Sequence, residues 1–170
     1  MYKIYQIRLA DEVTDFVNSN DHGHTGASHK YPIYEAYMRL NHGNDLEFNN
    51  ADFGFYTQVC AVIKDAGLQS DGERWAVLNL EDVFAVLNGR YYDEDTGEDL
   101  VHDAHVSGYT MKSGMTKNGT TYSVRNMRSL SVGDIVEDTD NGTFHMVAGM
   151  GFQDITVQVK NFAETTLETA

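Results

Sequence analysis

Cysteine, proline and positive charge are all scarce in this chain of 170 residues. Cys60 stands alone, which excludes an internal disulfide and any cysteine-based zinc site. Pro32 is the only proline, and it fits the first turn of a helix over about residues 33–40, which Asn41 and Gly43 would end. Twelve Lys+Arg stand against 26 Asp+Glu, giving a net charge of −14 and a pI near 4.6. A general nucleic-acid binder must neutralise phosphates with Lys and Arg, so this balance argues against broad DNA or RNA affinity, and equally against docking on anionic membranes. It suits a basic partner, a very soluble protein or a salt-rich source. Long apolar runs are missing too. The opening MYKIYQIRLADEVTDF has no apolar stretch of signal-peptide length, and no window reaches the roughly 18–20 apolar residues that span a bilayer. The expectation is a soluble intracellular protein, with a reducing cytoplasm as the default.

What is present suffices for a core: 41% hydrophobic and 11% aromatic residues, with a mean hydropathy of −0.43 that implies a polar surface. Residues 2–9 read as a strand, because Tyr2, Ile4 and Gln6 alternate with Lys3, Tyr5 and Ile7. Residues 11–17 suit a helical turn. Residues 18–30, NSNDHGHTGASHK, read as loop by composition. Phe53, Tyr56, Val59 or Cys60, and Ile63 recur at helical spacing between Asn49 or Asn50 and Gly67, which predicts a helix capped at both ends. Residues 75–80 suit a short strand, and residues 81–87 a helix capped by Asn79. Residues 90–106 hold the densest acidic stretch and read as an exposed excursion. From Tyr109 the periodicity changes. Asn118-Gly119 and Asn141-Gly142 each sit between β-prone runs and mark hairpins. Gly149-Met150-Gly151 marks a turn, and Ile155, Val157 and Val159 alternate as in a strand. The tail from Ala163 to Ala170 reads as frayed. The fold class is therefore α+β: an N-terminal strand, a helical middle at about 31–89, and a C-terminal antiparallel β-meander at about 109–160, in a single domain spanning 1–170.

Candidate chemistry is thin. His22, His24 and His29 share one loop and His102 and His105 another, an arrangement that could hold a metal and support a metal-dependent enzyme. Thiolate partners and the H-E-x-x-H spacing are absent, so solvated histidines are the simpler reading. Asp93-x-Asp95-x-Gly97 and Asp138-x-Asp140-Asn141-Gly142 superficially resemble calcium loops, but in each the glycine falls at position five where an EF-hand needs position six. No metal and no cofactor is expected. Cys60 falls on the apolar side of the helix expected before Gly67, beside Tyr56, Val59 and Ile63, where a free cysteine acts as a small hydrophobe rather than a nucleophile. No G-x-S-x-G elbow and no phosphate-binding glycine loop occurs, so the chain does not read as an enzyme. Lys112, Lys117, Arg125 and Arg128, with Tyr109 and Tyr122 interleaved, offer a local basic sheet face and an alternative reading as a small nucleic-acid-binding module.

The acidic surface is the stronger signal. Asp93, Glu94, Asp95, Glu98, Asp99 and Asp103 form a row of carboxylates that could imitate nucleic-acid phosphates and occupy a basic groove on another protein. The same row also fits an ordinary solvated loop.

One segment carries a resemblance. VRNMRSLSVGDIVEDTDNGTFHMVAGMGFQDI, residues 124–155, resembles the core motif of the YodL-like family. That family has a hydrophobic-SLSVSDVI stretch, a variable turn, an aromatic-rich strand and a closing Gly-Phe. The matching positions are Ser129, Leu130, Ser131, Val132, Gly133, Asp134, Ile135 and Val136, then Phe144, Gly151 and Phe152. Ile4-Tyr5-Gln6-Ile7 is similar to the family's N-terminal strand. The serine that the family carries just before its Asp is Gly133 here, and its Tyr-rich strand is Thr143–Met146. Read physically, residues 131–134 suit a tight turn into a strand, with serine and aspartate oxygens bonding nearby N–H groups, which makes Ser131 and Asp134 structural. Val132, Ile135, Val136 and Phe152 would supply a small core. The resemblance implies a context of phages and mobile elements, often among polyvalent and anti-restriction proteins, and no catalytic residues. The combined expectation is an accessory protein that inhibits a host defence or nucleic-acid-handling protein by binding its basic surface.

Overall fold

The computed structural model describes residues 1–19, 23–43, 47–68, 74–88, 106–107, 111–114, 121–124 and 130–169. In chain order these form β1 (Tyr2–Ile7), α1 (Asp11–Asn18), α2 (Gly23–Lys30), α3 (Pro32–His42), a 3₁₀ turn (Asn50–Phe55), β2 (Tyr56–Val62), β3 (Asp65–Leu68), β4 (Arg74–Ala76), α4 (Leu80–Leu87), β5 (Val106–Ser107), β6 (Met111–Gly114), β7 (Thr121–Val124), β8 (Ile135–Asp138), β9 (Thr143–Val147), β10 (Phe152–Asp154) and α5 (Thr156–Thr169). The class is α+β. A six-stranded sheet has the order β10-β9-β8-β1-β2-β5, and β3-β4 and β6-β7 form separate antiparallel pairs.

The chain packs as two compact units. One comprises residues 1–4, 58–130 and 136–143, the other residues 5–57, 131–135 and 144–170. In the second, Ile7, Ala36, Leu40, Phe48, Ile135, Met146, Ile155 and Val159 form a buried core, bordered by Tyr5, Phe53, Tyr56 and Phe144. A satellite core of Val13, Ala27 and Tyr34 joins α1, α2 and α3. In the first unit Tyr2, Ile4, Cys60, Val62, Val77, Val83 and Leu87 are buried.

Several expected elements form as read. Pro32 opens α3, where its fixed φ and missing N–H cost nothing, and Gly43 follows the last turn. Asn79 caps α4 by accepting from the Asp82 backbone N–H at 2.9 Å. The hairpin at Asn141-Gly142 joins β8 to β9, with Gly142 at φ +63. The strands flanking Asn118-Gly119, β6 and β7, pair antiparallel with Gly114 opposite Thr121; the dipeptide itself lies outside the described residues. The acidic excursion at 90–105 also lies outside them.

Four segments differ. The helix expected between Asn49 and Gly67 is a 3₁₀ turn followed by β2 and β3. Residues 59–62 are buried without interruption, the pattern of a strand covered on both faces, and such a run matches helical spacing by coincidence. Residues 23–30, expected as loop, form α2. Its glycine, serine and histidine residues are poor helix formers, and burial of Ala27 against α1 and α3 overrides them. Residues 155–159, expected as strand, open α5: the buried set is Ile155, Val159 and half-buried Phe162, at helical spacing, while Val157 is 68% exposed. The tail expected to fray continues α5 through Thr169. Of the small core expected from Val132, Ile135, Val136 and Phe152, Ile135 and Val136 are fully buried, and Val132 and Phe152 are half-buried.

Placing Cys60 in a strand rather than on a helix leaves its chemistry unchanged. It is buried, and desolvation pushes its thiol up to about 12. In the native state at pH 8, Cys60 should therefore react with DTNB at least about 100-fold more slowly than in urea-unfolded protein, followed by thionitrobenzoate absorbance; comparable rates would contradict this burial.

Candidate functional site

The residues of the resemblance converge on one turn of the second unit. Ser131, Val132, Gly133 and Asp134 reverse the chain into β8, closed by the Asp134 N–H donating to Ser131 O at 3.0 Å. Asp134 is fully buried. Its Oδ2 accepts from the Ser131 backbone N–H at 2.8 Å and from Gln6 Nε2 of β1 at 2.9 Å, and its Oδ1 accepts from Asn41 Nδ2 of α3 at 3.3 Å. Asn41 Nδ2 also donates to Val132 O at 2.7 Å, and Tyr56 Oη donates to Gly133 O at 2.5 Å. The Gly133 N–H donates to Val147 O, and the Val147 N–H to Asp134 O, each at 2.8 Å. The turn thus gathers β1, α3, the start of β2, and β9.

Gly133 has φ +87, and a Cβ placed on it would lie 2.4 Å from the backbone oxygen of Leu40. Two independent constraints therefore require glycine where the resembled family carries serine: a left-handed backbone and the C-terminal end of α3 packed against the turn. Burying a carboxylate is costly unless its lone pairs are bonded, and here three donors from separate elements meet it. The arrangement is a structural clamp. Gly151, at φ +71, turns the chain into β10, where Phe152 pairs with Val147. Ser129 lies outside the described residues.

The other candidates separate. Asp93, Glu94, Asp95, Glu98, Asp99 and Asp103 all lie outside the described residues, as do His22, His102 and His105. His24, in α2, stacks on Tyr34, and its Nδ1 meets the Tyr34 hydroxyl; His29 is exposed in the last turn of the same helix. Among the described residues no group of three His, Cys, Asp or Glu side chains is placed to hold a metal ion. In the second calcium-like loop, Asp138 Oδ1 and Asp140 Oδ2 receive Lys64 Nζ at 2.7 and 2.8 Å, and Asn141 Nδ2 donates to Asp138 Oδ2 at 2.8 Å. The Lys64 ammonium also sits 4.6 Å from the Tyr2 ring centre. A cation of the chain itself thus occupies this loop. Of the basic cluster, Lys117, Arg125 and Arg128 fall outside the described residues, and so does Tyr109. Lys112 pairs with Ser123 and Tyr122 with Ser113, so Lys112 and Tyr122 take alternate register positions of the β6–β7 ribbon.

Gln6, Asn41, Tyr56 and Lys64 are the participants that sequence reading does not single out. Only their partners, far away in sequence, reveal them. Gln6 at an inward position of an alternating strand is the one visible signal.

No protein-family model, no curated protein and no solved structure matches the chain. Among the described residues, no helix is long and apolar enough to cross a membrane.

The clamp is testable by substitution. Gly133→Ala and Asp134→Ala should each destabilise the protein by about 2–4 kcal/mol, read from urea unfolding, since the first forces backbone against backbone and the second takes the acceptor from buried Gln6 and from the half-buried Ser131 and Asn41. A loss below about 0.5 kcal/mol would remove the clamp from the account.

The Lys64 ion pair is testable by pH. Burial disfavours the Asp138 charge, but hydrogen bonds from Lys64 and Asn141 outweigh it and hold the pKa below its usual 3.8. For Lys64 burial is likewise outweighed, by Asp138 and Asp140, and the pKa lies above its usual 10.5. A lowered carboxylate stabilises above its unfolded pKa and loses that contribution as pH falls through the folded value; a raised ammonium stabilises below its unfolded pKa and loses it as pH rises through the folded value. Lys64→Met should therefore lower stability between about pH 4 and 10.5, with the difference from wild type fading below and above that window. A difference independent of pH would contradict the ion pair.

Proposed function

We propose that this chain is an accessory protein of a phage or other mobile element that acts without catalysis, by occupying the basic surface of a host defence or nucleic-acid-handling protein. The observation that carries the reading is the acidic excess at the surface of the described residues. Among the residues whose exposure is described, the exposed cations are Arg8, Lys30 and Lys160. Against them stand exposed Asp11, Glu12 and Asp15 on α1, Glu47, Glu81 on α4, Asp154, and Glu164 and Glu168 on α5. Two further cations are drawn into the chain's own carboxylates: Arg39 is held by Glu35 and Asp52, and Lys64 by Asp138 and Asp140. Carboxylates that point inward serve the fold, so the outward excess is left to set a field and to steer a cationic partner. The acidic row Asp93–Asp103 adds to that excess by composition. The YodL-like segment supports the mobile-element context.

The test is affinity capture from bacterial lysate with and without nuclease, followed by purification of the retained protein and titration against two charge-reversal variants. One variant combines Asp93→Lys, Asp95→Lys and Asp99→Lys, the other Asp11→Lys and Asp15→Lys. A nuclease-resistant partner that binds at least about tenfold more weakly to one of the variants, and that dissociates as salt rises, is the expected result. Retention that depends on nucleic acid, or that ignores both reversals, would reject the proposal.

A further inference from the structure

The outward face of α5 carries a pattern beyond its share of the acidic surface. The helix docks by Val159 and Phe162, with Phe162 5.9 Å from the Phe53 ring and its edge 3.2 Å from where a Cβ on Gly54 would lie. At about 100° per residue, the side turned away from that set has Asn161 and Glu168 along one edge and, beside them, the row Val157, Lys160, Glu164 and Leu167. All four are exposed, Val157 to 68% and Leu167 to 77%. Their spacing of three, four and three residues is that of the a and d positions of a coiled-coil seam, uncovered among the described residues.

The order of residues along the seam identifies what fits it. Val157 and Leu167 lie equally far on either side of Phe162, and so do Lys160 and Glu164. An antiparallel copy of the same helix, related by a two-fold axis at the level of Phe162, sets Val157 against the copy's Leu167 and Lys160 against the copy's Glu164, each pair occurring twice. This is the self-complementarity that an isologous contact requires, in both shape class and charge. In antiparallel coiled coils an a position faces a d position, and a polar layer inside an apolar seam fixes register and orientation. We propose that α5 is a homodimerisation surface, in which two copies pair antiparallel through Val157, Lys160, Glu164 and Leu167. The inference is independent of the host-partner reading. A 14-residue helix is about 21 Å long, and one such face buries less than the roughly 1,200–2,000 Å² of a stable complex. With a charge of −14 on each copy opposing approach, the dimer is weak and depends on concentration and salt.

Sedimentation velocity of the intact protein from about 10 μM to 1 mM at physiological salt tests this. The expected result is a shift from monomer toward dimer with concentration. Lys160→Glu leaves two carboxylates facing each other in both polar pairs, and Glu164→Lys leaves two ammonium groups facing each other; each change should weaken association by about tenfold or more. The double exchange, Lys160→Glu with Glu164→Lys, restores both pairs and should restore association, as should mixing the two single variants. All four positions are on the surface, and unchanged circular dichroism confirms that the variants fold. No association up to 1 mM, a dimer indifferent to both single changes, or a double exchange that fails to recover would each overturn the proposal.

Discussion

Much of the second unit hangs on one buried carboxylate. Asp134 is inaccessible to solvent, and its bonds reach β1 through Gln6, α3 through Asn41, and its own turn through Ser131. A buried charge of this kind adds little net stability compared with an apolar replacement of the same shape, because desolvation consumes most of what the hydrogen bonds return. Its effect is on specificity. A register shift of β1 costs Oδ2 its bond from Gln6, and a rotation of α3 costs Oδ1 its bond from Asn41, so alternative packings of the same hydrophobic residues are disfavoured. Glycine at position 133 completes the constraint by letting the last turn of α3 approach the backbone directly.

Around the clamp, aromatic residues fill the space that the aliphatic core leaves. Phe53 meets Tyr5, Tyr56, Phe144 and Phe162 at centroid separations of 5.5 to 6.3 Å, mostly tilted or edge-on. These geometries suit ring quadrupoles and bring together the 3₁₀ turn, β1, β9 and α5. Tyr56 shows the division of labour within one side chain: its ring joins the aromatic cluster while its hydroxyl satisfies the carbonyl of Gly133. Arg39 ties the same region from outside, donating to Glu35, Asp52 and the carbonyl of Glu47.

The sequence made some of this readable and hid the rest for identifiable reasons. Elements announced by local chemistry were legible: Pro32 at a helix start, Asn79 at a cap, Asn141-Gly142 at a hairpin, and the Ser131–Asp134 turn with its side-chain acceptor. Elements decided by distant packing were not. Val59–Val62 matched a helix because a run buried on both faces has no period of its own. Ile155, Val157 and Val159 matched a strand because five residues cannot separate a period of two from one near four; extending to Phe162 would have tipped the balance. α2 could not be read at all, since its residues favour helix only once Ala27 is buried. The turn of the candidate site was visible, but Gln6 and Asn41, its partners across more than ninety residues, were not.

That separation also governs how the molecule can be made. The second unit is assembled from three stretches of chain, residues 5–57, 131–135 and 144–170, with the bond between Gln6 and Asp134 closing a separation of 128 residues. Topologies dominated by such distant pairings fold slowly, because the loop must be closed before any contact rewards it. During synthesis β1 and α3 leave the ribosome long before β8, β9 and α5 exist, with Ile7, Leu40 and Phe48 still uncovered. Until those later segments arrive, the apolar faces of the first third of the chain stay open, the kind of surface that is prone to misassociate.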